Sequence, residues 1–183
     1  MVGKVSDFDE PEINSPIDIM RHSCAHVMAH AIKNLWPNAQ FGIGPTVENG
    51  FYYDVDLNVT LTPDDLPKIE SEMKKIIKAN QEFVREEHKI DDAITLFREL
   101  NQNFKVEIIE DLRDQTGATQ VSTYKEGDFI DLLMSKVLEK YKTLNFCPSL
   151  VHTGEGMRTI HNSKEFMAVH LTQKTNSNNI FIF

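Results

Sequence analysis

The sequence predicts one globular domain of mixed helix and strand, followed by a tail of different character. Three observations carry this. The 183 residues are 40% hydrophobic and 26% charged, the composition of a chain that can bury a core. Three stretches repeat apolar side chains at helical spacing. Short aromatic or β-branched runs sit beside turn residues, at Asn49-Gly50 and around Gly127.

Residues 1–14 are polar and acidic and read as a loose lead-in. Ser15-Pro16 then predicts a helix start, with Ser15 as N-cap and Pro16 at the first helical position. Ile19, Val27, Ala31 and Leu35 mark one stripe, and the helix is expected to stop before Pro37. Phe41 to Pro45 is a glycine-punctuated stretch, and Asn49-Gly50 is a turn into a strand over Phe51 to Asp56. Thr62-Pro63-Asp64-Asp65 opens a second helix, whose face Leu66, Ile69, Met73, Ile76 and Ile77 should be buried before it ends near Ala79-Asn80. Phe83 to His88 suits a strand. Asp91 is expected to cap a third helix through Leu100, and Lys105 to Ile109 suits a strand or a short helix. Val121 to Tyr124 and Phe129 to Leu132 form a hairpin around Lys125 to Asp128, and Leu133 to Tyr141 reads as a short helix. The last residues, Ile180 to Phe183, are apolar and β-prone.

Charge divides the chain at one place. Residues 1–132 carry 13 Lys/Arg against 25 Asp/Glu, a net of −12, whereas residues 133–183 carry 6 against 3, a net of +3. The total of −9 argues against nonspecific nucleic-acid binding by bulk charge. Two cysteines, Cys24 and Cys147, do not make a disulfide framework. No run approaches the ~20 apolar residues of a membrane span, and the acidic start has no apolar signal core. A cytoplasmic protein is the expectation.

The chemistry concentrates in His22-Ser-Cys24-Ala-His26-Val-Met-Ala-His30. Histidines at i, i+4 and i+8 of a helix lie on one face, about a turn apart. Two such imidazoles can share a metal ion or position a water. Cys24, two residues from His22, points elsewhere. A second cluster runs from Phe41-Gly42-Ile43-Gly44 to Tyr52-Tyr53-Asp54. Gly44 permits close backbone approach to a ligand, and the hydroxyls of Tyr52 and Tyr53 can bond one. The same residues also read as a tight turn with aromatics in a core.

Residues 21 to 57, RHSCAHVMAHAIKNLWPNAQFGIGPTVENGFYYDVDL, resemble the editing domain of bacterial threonyl-tRNA synthetases. The likeness continues through Thr62 to Asp65, Asn103 to Val106, and Tyr124 to Leu132, and so covers roughly residues 15–132. It implies an α+β fold, an antiparallel sheet packed by helices, with the histidine helix lining a cleft. It implies hydrolysis of serine mischarged onto threonine tRNA. Serine lacks one methyl of threonine, a difference worth only ~1–3 kcal/mol in a binding pocket, so a second, hydrolytic site is needed. Carried over by motif position, His22 would engage the tRNA(Thr) 3′ end or orient a water. His26 completes the histidine pair. Lys105 would stabilise charge on the ester or bind the substrate, and Asp131 would hold the seryl amine or hydroxyl. No cofactor is expected; the alternative is zinc held by His22 and His26. The family's synthetase core, to which such a domain is normally linked, is not represented in 183 residues.

The likeness stops after Leu132. Where the family continues with Cys-x-Gly-Pro-His, this chain has Leu133 at the cysteine position and Val137 at the histidine position. Neither side chain can accept a proton or orient water. Cys147 and His152 lie further on, with four intervening residues in place of three. Residues 133–183 are therefore either a displaced form of the motif or an unrelated tail. Two further readings stay open, an inactive relative and a metal-dependent hydrolase of small molecules.

Overall fold

The computed structural model describes residues 16–44, 46–47, 50–51, 53–133, 169–174 and 177–182. Ser15, Tyr52, Val137, Cys147, His152 and the stretch 134–141 lie outside the described residues. Helix α1, Pro16–Leu35, is the central element. The predicted stripe widens along it into burial on every side, because Cys24, Ala25, Val27, Met28, Ala29, Ala31 and Ile32 are all inside. Small residues make that possible, since Ala25, Ala29 and Ala31 let neighbouring elements come close.

Two short antiparallel pairs follow. Strand β1, Gln40–Phe41, pairs with β4, Val55–Asp56. Strand β2, Thr46–Val47, pairs with β3, Gly50–Phe51, in the register Val47 opposite Gly50. The expected continuous strand over Phe51 to Asp56 is thus divided. Around Asp54 the backbone still bonds across, with Gly42 N–H donating to Asp54 O at 2.8 Å and Asp54 N–H donating to Ile43 O at 2.8 Å.

Thr62 opens the next helix as predicted, through a 3-10 turn, Pro63–Asp65, before α2, Leu66–Ala79. The Thr62 N–H and hydroxyl donate to the Asp65 carboxylate at 2.9 and 2.8 Å. Asn80 closes α2 in the left-handed conformation, φ 51°. A 14-residue helix is marginal alone; burial of Leu66, Ile69, Met73 and Ile76, at about 1.5–3 kcal/mol each, is what holds it.

A three-stranded antiparallel sheet completes the frame, in the order β5–β6–β7. Strand β5, Val84–Lys89, is an edge strand whose side chains are mostly exposed, Val84 included, so the alternation read into Phe83 to His88 buries Phe83 alone. Its charges Arg85, Glu86, Glu87 and Lys89 suit an unpaired edge. Strands β6, Gln120–Glu126, and β7, Phe129–Leu133, form the predicted hairpin with Gly127 at φ 58° in its turn. Leu133 belongs to β7, opposite Ser122, and does not start a helix.

Between β5 and β6 lie α3, Ile90–Glu99, and α4, Asn103–Thr116. Lys89 occupies the N-cap of α3, so Asp91 sits in its first turn, where a carboxylate favours the helix dipole. The segment Lys105 to Ile109 is helical and part of a longer element than expected. Lys105, Val106 and Ile109 form its buried i, i+1, i+4 edge. A separate antiparallel pair, β8, Val169–Lys174, and β9, Ser177–Ile182, contains most of the apolar C-terminal run.

The β6–β7 hairpin has apolar clusters on both faces. Phe129 and Leu133 join the cluster of α1, α2 and the short strands. Val121 and Leu132 join that of α3 and α4, with Ile130 packed against it. Asp131 falls between Phe129 and Leu133 in the period-2 alternation, and so points toward α1.

Candidate functional site

Helix α1 runs antiparallel to β7, and their repeats match. Four helical residues rise about 6.0 Å, close to the roughly 6.8 Å of two strand residues. Each histidine therefore meets a successive inward residue of β7. His22 lines one pocket with Leu133, His26 bonds Asp131, and His30 stacks on Phe129.

Asp131 is the centre. His26 Nδ1 lies 2.7 Å from its Oδ2, and the Tyr53 hydroxyl donates to the same oxygen. Lys105 Nζ is 2.6 Å from Oδ1, and the Leu132 N–H donates to Oδ1 at 2.8 Å. Lys105 also donates to the Tyr53 hydroxyl at 3.1 Å. Burial alone would raise the Asp131 pKa; the charges of Lys105 and His26 and their hydrogen bonds overcome it and hold the carboxyl far below its ordinary range. His22, His26, Tyr53, Lys105 and Asp131 are each between 1 and 4% exposed.

The ring nitrogens define a direction. Lys105 already balances the Asp131 charge, so the buried cluster is neutral when both imidazoles are neutral. His26 then donates from Nδ1 to Asp131 and accepts at Nε2. His22 Nε2, 3.2 Å away, donates to it. His22 Nδ1 is left as a lone-pair acceptor, buried and without a hydrogen-bond partner among the described residues. Burial, then the neighbouring His26, push the His22 pKa down to about 3. The lone pair is therefore free at neutral pH.

His22, His26, Gly44, Tyr53 and Lys105 line a cavity of about 30 Å³ closed by Ile108, Leu132 and Leu133. One water needs roughly 10–15 Å³ of such space and two to four polar partners. A methyl on Gly44 would overlap the Tyr53 ring, so glycine is what lets this loop close over the site. Ile43 and Ile108 also border a cleft of about 320 Å³ that carries Asp54, Asp56, Glu107 and Asp111. Burial raises the Asp54 pKa to about 6.

The structure thus brings His22, His26, Gly44, Tyr53, Lys105 and Asp131 together. Tyr52, Cys147 and His152 lie outside the described residues. Leu133, at the position where the resemblance expects a cysteine, is part of the pocket wall. Among the described residues no three His, Cys, Asp or Glu side chains converge to hold a metal ion. Zinc on His22 and His26 would lack its usual four ligands and would displace their mutual hydrogen bond. Sequence reasoning missed Gln102. Its Oε1 accepts from Phe41 N–H at 3.0 Å and its Nε2 donates to Ala39 O at 2.9 Å, tying β1 to the start of the helix that carries Lys105. A glutamine before a helix gives no signal of that role.

The α+β domain thus gathers two imidazoles, a lysine and a carboxylate in one buried cluster beside a small cavity. Comparison with known proteins narrows the class. The threonine–tRNA ligase of Geobacillus sp. (strain WCH70) is 51% identical over 124 residues, 68% of this chain and 18% of the relative. That of Geobacillus kaustophilus (strain HTA426) is 49% identical over 124 residues, and that of Dehalococcoides mccartyi (strain CBDB1) 47% over 127 residues. The matched region of this chain is a relative of part of threonine–tRNA ligase, as the motif block predicts. The chain spans about a fifth of the length of these curated relatives, 18–21%. No family model matches it. Among the described residues no helix is long and apolar enough to cross a membrane.

Proposed function

We propose that this domain hydrolyses the ester of serine mischarged onto threonine tRNA. The observation that carries the reading is the chain Asp131–His26–His22, ending at an imidazole nitrogen without a hydrogen-bond partner among the described residues, with His22 in the wall of a cavity large enough for water. A water there gives its proton to His22 Nδ1 as its oxygen attacks the seryl carbonyl. A group with a pKa of about 3 is a weak base on its own. His22 relieves this by passing its Nε2 proton to His26, where Asp131 stabilises the new cation. Lys105, a residue of the same cavity wall, stabilises the oxyanion. The ester bond breaks, the ribose oxygen takes the proton, and serine leaves.

Asp131 orients His26 in this scheme and does not hold the seryl amine. Its two oxygens already meet four donors. The carboxylates of the adjoining cleft supply acceptors for that ammonium instead. The tRNA(Thr) 3′ end is the expected partner.

A second reading, a relative that folds without hydrolysing, is favoured by Leu133, an inert side chain in the pocket wall. Deacylation of Ser-tRNA(Thr), with Thr-tRNA(Thr) as control, separates the two. The full chain should release serine and spare threonine, and His22→Ala with His26→Ala should abolish release. A parent chain as slow as the double variant establishes the inactive reading. Full activity after exhaustive chelation dismisses the metal-dependent alternative.

A further inference from the structure

The third histidine of the motif is unused by the proton chain, yet it is as deliberately seated as the other two. His30 stacks on Phe129 with ring centroids 5.1 Å apart and planes 7° from parallel. Its Nδ1 lies 3.1 Å from Glu126 Oε2, an ion-pair distance off the line of a hydrogen bond. Glu126 has no exposed surface, and among the described residues neither carboxylate oxygen has a hydrogen-bond donor. Glu126 and Phe129 face each other across the hairpin, as Tyr124 and Asp131 do two residues on. Helix α1 is thus fastened to the hairpin twice, at His26–Asp131 and one turn later at His30–Glu126.

A buried carboxyl group with no hydrogen-bond donor on either oxygen among the described residues gains most from the polar ring beside it, that of His30. That gain makes the second fastening resist axial rotation of α1. The 3.2 Å contact between His22 and His26 depends on that rotation, because both rings project from the same helical face. We propose that the His30–Glu126 pair is a positioning device, locking the rotation of α1 so that His26 faces both Asp131 and His22. The proposal rests on reading His22 and His26 as the proton-accepting pair.

The test uses the full chain labelled with 15N-histidine, and follows the His26 imidazole resonances, the melting temperature and the kinetics of Ser-tRNA(Thr) hydrolysis. In His30→Leu and in Glu126→Gln the His26 resonances should move, and kcat should fall about ten- to a hundredfold with KM little changed, the scale of a sub-ångström to ångström misplacement. The double variant His30→Leu plus Glu126→Leu removes both buried polar groups together and leaves neither unpaired, so it should regain thermal stability. It should keep the displaced His26 resonances and the low kcat. Recovery of both with stability would show the pair to be structural alone and overturn the proposal. So would single variants with His26 resonances identical to the parent. If the parent chain does not hydrolyse Ser-tRNA(Thr), the function reading fails, and the resonances still decide whether the pair positions His26.

Discussion

The two faces of the β6–β7 hairpin do opposite jobs with adjacent residues. Ile130 and Leu132 turn toward α3 and α4 and meet Ile90, Ile94, Phe97 and Ile109, an apolar cluster without a charge. Phe129, Asp131 and Leu133 turn toward α1, and the middle one gathers a lysine, a tyrosine and a histidine. A strand's alternation therefore sets a stabilising surface and a chemically useful one 180° apart. The apolar face gains free energy by burial. The ionic face holds charges out of water and relies on the other for support.

Asp131→Asn should break this contrast most severely. It leaves the Lys105 ammonium buried without its carboxylate, which costs about 3–5 kcal/mol in urea denaturation, and it removes the group that orients His26. Hydrolysis of Ser-tRNA(Thr) should fall at least about a hundredfold, on the scale of losing a general-base system. Activity within twofold of the parent would remove Asp131 from the mechanism. Ile94→Ala is the counterpart on the apolar face. It should cost about 2–5 kcal/mol, yet leave the rate per folded molecule unchanged in the same assay at 10 °C.

Acid should discriminate the faces next. The folded-state pKa of His22, about 3, lies below the unfolded value of 6.5, so the unfolded chain binds the extra proton between them. Stability from this group is present above pH 6.5 and is lost as pH falls toward 3. The slope is about 1.4 kcal/mol per pH unit, so His22→Leu should flatten the parent's decline by about 2 kcal/mol at pH 5. Equal pH dependence in both chains would place His22 in water. Asp54→Asn gives the smallest effect, outside both faces. The Asp54 pKa is raised to about 6, so the stability it contributes as a neutral acid is full below 3.8 and lost as pH rises through 6. The substitution should raise Tm by about 2 °C or less at pH 7.5, since Asp54 is only partly buried and partly screened, and change nothing at pH 3.

Local signals predicted what is local. Pro16 and Pro37 bracket α1, Thr62 to Asp65 start the α2 segment, and the glycine at 127 marks the hairpin. The segment from Lys105 to Ile109 was ambiguous because its β-branched residues fit either period. Docking on α3 decides it in favour of helix. The motifs also brought out the six residues that converge, but not the direction of the proton chain, which depends on the Nε2-to-Nε2 contact across one helical turn. Gln102 and Glu126 carry no pattern at all. Their importance comes from burial, which a linear reading does not contain.

His26 and Asp131 are 105 residues apart in the chain, and Tyr53 reaches Asp131 over 78. The last strand of the β5–β6–β7 sheet supplies the group around which the others turn. A nascent chain halted before β7 would display three histidines and a lysine with no carboxylate to arrange them. On the proposed function, hydrolytic competence would then appear in one step, when translation and folding of the sheet are both finished. Such a site would be its own quality control, silent in every partly made copy.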